Sequence, residues 1–124
     1  MNIKIGINGF GRMGRLSLRA IWDKAGVECI KINEPAGDAA TLAHLLTFDS
    51  VHGKWQHEAT AEGDTLIADG KQIHCTQNKT ISETDWSGCD VVIEASGVMK
   101  TRALLEAYLE QGVKRVVVTA PVKE

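Results

Sequence analysis

The sequence predicts an α/β fold: a doubly wound, mostly parallel sheet with an inserted antiparallel β-meander. Three observations carry this expectation. Strand-like apolar runs alternate with helix-period segments at both ends of the chain. From about Asp49 to Gln77 the texture changes to short runs separated by turn signals. The first strand-like run opens directly into Gly9-x-Gly11-x-x-Gly14 and then into a helical pattern. Alternation of this kind implies right-handed crossovers and a parallel sheet, with a ligand crevice at the carboxyl ends of its strands.

Each element has its own warrant. Ile3, Ile5 and Ile7 alternate with Lys4, Gly6 and Asn8 and form the first strand. Met13, Leu16 and Ala20, widened by Ile21, mark an apolar stripe on a helix from Arg12 to Lys24, with Gly26 as its stop. Val27 to Asn33 is the second strand, ended by Glu34-Pro35-Ala36-Gly37, because proline cannot continue a central strand. Asp38 N-caps a helix with apolar residues at Ala39, Leu42, Leu45 and Leu46. ATAE, TLIAD and KQIHCTQ, divided by Glu62-Gly63-Asp64 and Asp69-Gly70, supply the strands of the meander. Asp90 to Glu94 is a buried-type strand ending at Ala95-Ser96-Gly97. Thr101 caps a helix to Gln111, with Gly112 at the C′ position. Arg115 to Thr119 is almost pure valine, the composition of a parallel strand covered on both faces.

The chain has 124 residues, enough for one small domain with a core, so residues 1–124 are read as one unit. Apolar residues make up 44% and charged residues 24%, an ordinary globular balance. A net charge of −2 and the absence of any basic run argue against a nucleic-acid partner. No apolar stretch reaches membrane-spanning length and no signal-peptide layout precedes the first strand, so no membrane partner and a cytoplasmic location are expected. Cys29, Cys75 and Cys89 are odd in number and far apart, without metal-ligand spacing. They read as reduced, buried or half-buried thiols, and no metal site is expected. Trp22, Trp55 and Trp86 read as packing residues, and His44 as a helix-face residue rather than a base.

The glycine motif carries the function. Strand, tight glycine turn and helix start, in that order, form the dinucleotide fingerprint of a Rossmann-type fold. Gly9 turns the chain, Gly11 lets backbone N–H groups approach a pyrophosphate, and Gly14 lets the helix lie close to the strand. The helix N-terminus adds unpaired donors and a partial positive charge. Glu34 stands twenty residues after Gly14, just past the second strand. An acid there accepts hydrogen bonds from both hydroxyls of an adenosine ribose and repels a 2′-phosphate, which selects NAD over NADP. Gly9, Glu34, Ser96, Gly97 and Thr119 all fall at strand carboxyl ends.

INGFGRMGR at Ile7 to Arg15, INE at Ile32 to Glu34, FDSVHG at Phe48 to Gly53, EASG at Glu94 to Gly97 and VTAP at Val118 to Pro121 closely resemble the glyceraldehyde-3-phosphate dehydrogenases along the whole chain. The resemblance implies that backbone groups of Arg12 and Met13 hold the pyrophosphate and that Glu34 meets the adenine ribose. It also implies that Lys79 lies beside the adenine, and Ser96, Gly97 and Thr119 along the path to the nicotinamide. Three departures stand out. Asn33-Glu34 replaces the usual Asn-Asp, keeping the charge but moving the carboxylate outward. Lys79 replaces a frequent arginine, so planar stacking is lost while the charge remains. The stretch from Ile32 to Gly53 looks more like two side branches, erythrose-4-phosphate dehydrogenase and the homologue associated with arsenate-resistance operons.

The resemblance further implies that this chain is C-terminally truncated relative to the family. The Ser-Cys-Thr-Thr-Asn loop with the catalytic cysteine, its histidine partner and the substrate phosphate sites would all lie beyond it. Cys29, Cys75, Cys89 and His52 do not match those positions, so no catalytic residue is assigned here. The whole protein would be a phosphorylating aldehyde dehydrogenase, acting on a phosphorylated aldehyde and forming a homo-oligomer. A cysteine thiolate would attack the aldehyde, hydride would pass to NAD, and phosphate or arsenate would release the acyl group. Two other readings stay open: a free-standing nucleotide-binding module without catalysis, and a fragment that keeps only the fold.

Overall fold

A computed structural model describes residues 2–49, 53–97 and 102–119. Nine strands and three helices occur among them: β1 (Ile3–Asn8), α1 (Arg12–Trp22), β2 (Val27–Asn33), α2 (Ala39–Thr47), β3 (Phe48–Asp49), β4 (Gly53–Lys54), β5 (Ala59–Glu62), β6 (Thr65–Ala68), β7 (Lys71–Thr76), β8 (Val91–Glu94), α3 (Arg102–Glu110) and β9 (Arg115–Val118). A single 3-10 turn, Ile81–Glu83, lies between β7 and β8. The expected order is therefore present. The cap residue Thr101, His52 and the Ala120-Pro121 end of the last motif lie outside the described residues.

The main sheet runs β5-β6-β7-β2-β1-β8-β9. β7, β2, β1, β8 and β9 pair in parallel, while β5 and β6 add the antiparallel edge of the meander. The β6–β7 turn at Asp69-Gly70 has positive φ at both residues, 52° and 76°. Two such residues in succession give the hairpin turn whose twist matches its strands. β1 is central: the chain moves from it to β2 on one side and returns to β8 on the other. This change of direction is the topological switch point, where open parallel sheets leave a crevice.

Strand alternation sends the side chains of β1 to two faces. Ile5 and Ile7 join Leu18 and Trp22 of α1, Leu42 and Leu46 of α2, and Leu66 and Ile73 of the meander in one buried cluster. From Gly6 the opposite face meets Trp86, which packs with Ile81, Val92, Tyr108 and Val113. α1 and α2 thus cover one face, and α3 with the 3-10 turn covers the other. The sheet is doubly wound.

Three sequence expectations are corrected here. The buried stripe of α1 is Gly14, Leu18 and Trp22, while Met13 is 49% exposed. The helix seats on its glycine, so the face that lies against the sheet is set by Gly14 and is rotated away from the Met13–Leu16–Ala20 stripe. The helix also ends at Trp22, two residues before Lys24. Among the described residues β9 is not covered on both faces: Val117 is 53% exposed, while α3 packs against the strand. As the outermost strand of this sheet, β9 has the composition of an interior strand in an edge position.

Other expectations hold. The Asp38 carboxylate accepts from the Thr41 N–H at 2.9 Å and caps α2. All three cysteines are free and buried. Trp22, Trp55 and Trp86 are all buried, Trp22 and Trp55 meeting edge to face at 5.3 Å. A clamp beside them was not read from the sequence. His57 contacts Asp69 through Nδ1 at 2.6 Å and Asp23 through Nε2 at 3.2 Å, and the Trp22 indole N–H donates to Asp69 at 2.8 Å. These bonds tie the end of α1 to the β6–β7 turn and to the segment before β5.

Candidate functional site

The glycine turn is shaped by backbone contacts. Gly9 has φ +94°, and a Cβ on it would lie 2.5 Å from the backbone of Ser96. It is the point where the loops after β1 and β8 touch. A Cβ on Gly14 would lie 2.2 Å from the Gly9 carbonyl oxygen, so helix and strand can approach this closely only with glycine there. Gly11 differs from both. Nothing lies within 4 Å of a Cβ built on it, and the residue is exposed. It begins α1 as an N-cap without a side-chain capping bond. Open space beside an uncapped helix start is what a diphosphate needs: donors aimed outward, with no side chain in front of them. Arg12 and Met13, the first residues of the helix, are both exposed.

Glu34 sits beside this turn and is half-buried. One carboxylate oxygen accepts from the Phe10 N–H at 2.7 Å and the other from the Ala36 N–H at 2.9 Å. The longer side chain therefore reaches the glycine turn itself and fastens it to the loop after β2. Each oxygen retains a second lone pair for a ligand hydroxyl. A small pocket of about 190 Å³ opens alongside, lined by Phe10, Gly11, Glu34, Gly37, Thr41 and Leu45 among others. Lys79 is exposed in the loop after β7, on the same side of the switch point as Glu34.

On the other side, Ser96 follows β8 and donates to the Glu94 carboxylate through its N–H at 2.9 Å and through its hydroxyl. Gly97 has φ +79° and is exposed. Thr119 follows β9 and donates its N–H to the Glu94 carbonyl at 3.1 Å. Every predicted site residue thus falls at the carboxyl ends of the parallel strands. They divide into a β1 group (Gly9, Gly11, Arg12, Met13, Gly14), a β2/β7 group (Glu34, Lys79) and a β8/β9 group (Ser96, Gly97, Thr119).

Beneath these groups runs a buried polar ladder that sequence reasoning missed. Asn8 donates to Glu94 at 2.9 Å and to the Tyr108 hydroxyl at 2.8 Å, and Asn33 donates to Asn8 at 2.9 Å. The Thr76 and Thr84 hydroxyls and the Asn78 N–H all donate to the Asn33 side-chain oxygen Oδ1. Asn8, Asn33 and Glu94 are each at most 4% exposed. Among the described residues no buried side-chain polar atom lacks a partner. Burial and the adjacent Glu94 carboxylate push the Tyr108 phenol well above its usual range. The available signal was positional: β1, β2, β7 and β8 each end on a polar residue.

The cysteines lie within or before strands and not in the loops at the strand carboxyl ends. Cys29 pairs with Ile5 inside the sheet, Cys75 pairs with Ile32, and Cys89 lies before β8, at the opposite end from the crevice. Burial raises the Cys29 thiol far above its ordinary range and raises Cys75 and Cys89 to about 11. No group of His, Cys, Asp and Glu suited to a metal ion occurs among the described residues.

Residues 3–102 match the family model described as glyceraldehyde 3-phosphate dehydrogenase, NAD binding domain. Among curated relatives, glyceraldehyde-3-phosphate dehydrogenase 3 of Nostoc sp. is 48% identical over all of this chain, which covers 37% of that protein. Glyceraldehyde-3-phosphate dehydrogenase 1 of Bacillus subtilis is 40% identical, again over all of this chain and 37% of its own length. The cytosolic enzyme of Chlamydomonas reinhardtii is 40% identical over 96% of this chain and 36% of its own. The chain spans little more than a third of the curated relatives it matches.

Proposed function

The chain belongs to the glyceraldehyde-3-phosphate dehydrogenase family and is an NAD-binding domain of that type, and from this premise we propose how its residues divide the cofactor. Gly9, Gly11, Arg12, Met13 and Gly14 form the pyrophosphate cradle, with the N–H groups of Arg12 and Met13 as donors. Glu34 accepts from the adenosine ribose, and Lys79 lies by the adenine. A dinucleotide whose diphosphate rests over β1 and whose ribose reaches Glu34 must send its other half across the switch point. That half lies over Ser96, Gly97 and Thr119. The observation that carries this reading is the contrast among the three glycines: backbone closes the space at Gly9 and Gly14 and leaves it open at Gly11. The bound nicotinamide supplies a hydride acceptor; the chain's own residues bind it, orient it and select among nucleotides.

Residues 1–124 form one cofactor domain in this reading, without a catalytic residue of its own. In the whole protein it would serve a phosphorylating dehydrogenase: a cysteine thiolate supplied from outside this chain would add to a phosphorylated aldehyde, the resulting hemithioacetal would lose its hydride to bound NAD and become a thioester, and phosphate or arsenate would release the acyl group and return the thiolate. The protein is cytoplasmic and homo-oligomeric in this proposal. A relative bearing the name cytosolic supports the location, and no described helix is long and apolar enough to cross a membrane. The exposed valine of β9 supports association.

Calorimetric titration with NAD and NADP tests the ribose assignment. NAD binds more tightly, because the Glu34 carboxylate favours free hydroxyls and repels a 2′-phosphate; tighter NADP binding overturns the assignment. Glu34→Ala weakens NAD binding by roughly 1–3 kcal/mol, the range for losing a charged acceptor, and narrows the gap between the two cofactors. Glu34→Gln retains side-chain length and removes the charge, so it narrows the gap with a smaller loss for NAD.

A further inference from the structure

We propose that Tyr108 is a positioning residue for the nicotinamide half of the cofactor, acting through the Glu94 carboxylate on Ser96. The proposal rests on the cofactor reading above. Tyr108 lies on α3, the next element after β8, against the face of the sheet away from α1. Its ring packs edge to face on Trp86 at 5.5 Å, and its hydroxyl reaches under the end of β8.

Glu94 receives four donors. Asn8 and the Tyr108 hydroxyl donate to one oxygen, and the N–H and hydroxyl of Ser96 donate to the other. Asn8 also donates to the Tyr108 hydroxyl, which fixes the direction of the phenolic proton: it points to Glu94. A carboxylate at most 2% exposed, held only by donors, has its orientation set by those donors. The oxygen bound by Tyr108 and the oxygen bound by Ser96 belong to one rigid group. Rotation of that group moves Ser96, and Ser96 borders Gly9 and the crevice.

The ladder is asymmetric in a way that makes this role separable. At the β2 end, Asn33 is held by Thr76, Thr84 and Asn78 without help from α3. Removal of the Tyr108 hydroxyl therefore loosens the β8 end and leaves the Glu34 side intact. A merely structural residue would not distinguish the two halves of one ligand.

The test measures NAD and ADP affinities calorimetrically for the unaltered protein and for Tyr108→Phe, which keeps the ring against Trp86. The expected result is an NAD dissociation constant raised about five- to tenfold, the net effect of about one hydrogen bond, with ADP unchanged within about twofold. Unchanged NAD affinity overturns the proposal. Loss of both ligands together, by weaker binding or by unfolding, also overturns it and makes Tyr108 a packing residue. Failure of the unaltered protein to bind either ligand overturns the cofactor reading itself, a result distinct from both.

Discussion

Substitution of valine for Gly11 eliminates measurable NAD binding while the protein stays folded. Gly11 has φ −74° and ψ −159°, an extended conformation open to any residue, and no atom stands within 4 Å of where its Cβ would be. The fold has no steric need of glycine there. In the proposed binding mode the ligand does, because branched methyl groups would occupy the space in front of the first helical N–H groups. Losing diphosphate contact should weaken binding more than about 100-fold, near 2.7 kcal/mol. The helix loses a favourable N-cap residue, at about 1 kcal/mol, a modest drop in melting temperature. Calorimetry and thermal circular dichroism measure the two effects separately. A folded variant that binds NAD normally would show that the dinucleotide lies elsewhere.

Gly14 provides the opposite expectation. An alanine methyl 2.2 Å from the Gly9 carbonyl oxygen forces α1 away from β1, and overpacking of this kind costs roughly 1–3 kcal/mol or more. Gly14→Ala should lower the melting temperature and NAD affinity together. The same motif thus contains one glycine with open space beside it, expected to matter to the ligand, and one pressed against backbone, expected to matter to the fold.

Much of this was legible in the residues. The strand–glycine–helix order at Ile3 to Trp22, the Asp38 cap and the paired turn residues Asp69-Gly70 are local signals, and local sterics decide them. What was not legible depends on partners distant in sequence. The buried face of α1 follows from where Gly14 meets the backbone of Gly9 and from the packing of Trp22 beside Trp55, so periodicity alone chose the wrong stripe. The exposure of Val117 depends on position in the sheet, which composition does not encode. The ladder under the site joins Asn8, Asn33, Glu94 and Tyr108 across four elements. Each alone reads as an ordinary polar residue at a strand end or an aromatic on a helix face. Only the assembled sheet shows that they satisfy one another.

From the same assembled sheet we expect this chain alone to show no NAD-dependent oxidation of glyceraldehyde-3-phosphate or erythrose-4-phosphate, with phosphate or arsenate present. Attack on the aldehyde requires a thiolate within reach of the nicotinamide. Cys75 and Cys89, raised to about 11 by burial, are ionised at pH 7 in only about one molecule in ten thousand. Cys29 is raised further still. Their sign of titration is that of an acid whose charged form burial opposes, so reactivity grows only as pH climbs toward 11. Alkylation by iodoacetamide should accordingly be slow at pH 7 in the native protein and become fast on unfolding in guanidinium. Their placement excludes them independently of pKa: Cys29 and Cys75 lie within the sheet, and Cys89 lies at the end of β8 opposite to Ser96. A spectrophotometric assay for NADH at high protein concentration measures this. Turnover removed by replacing any one of the three cysteines with serine would overturn both the division of labour and the placement of the site at the carboxyl ends of the strands.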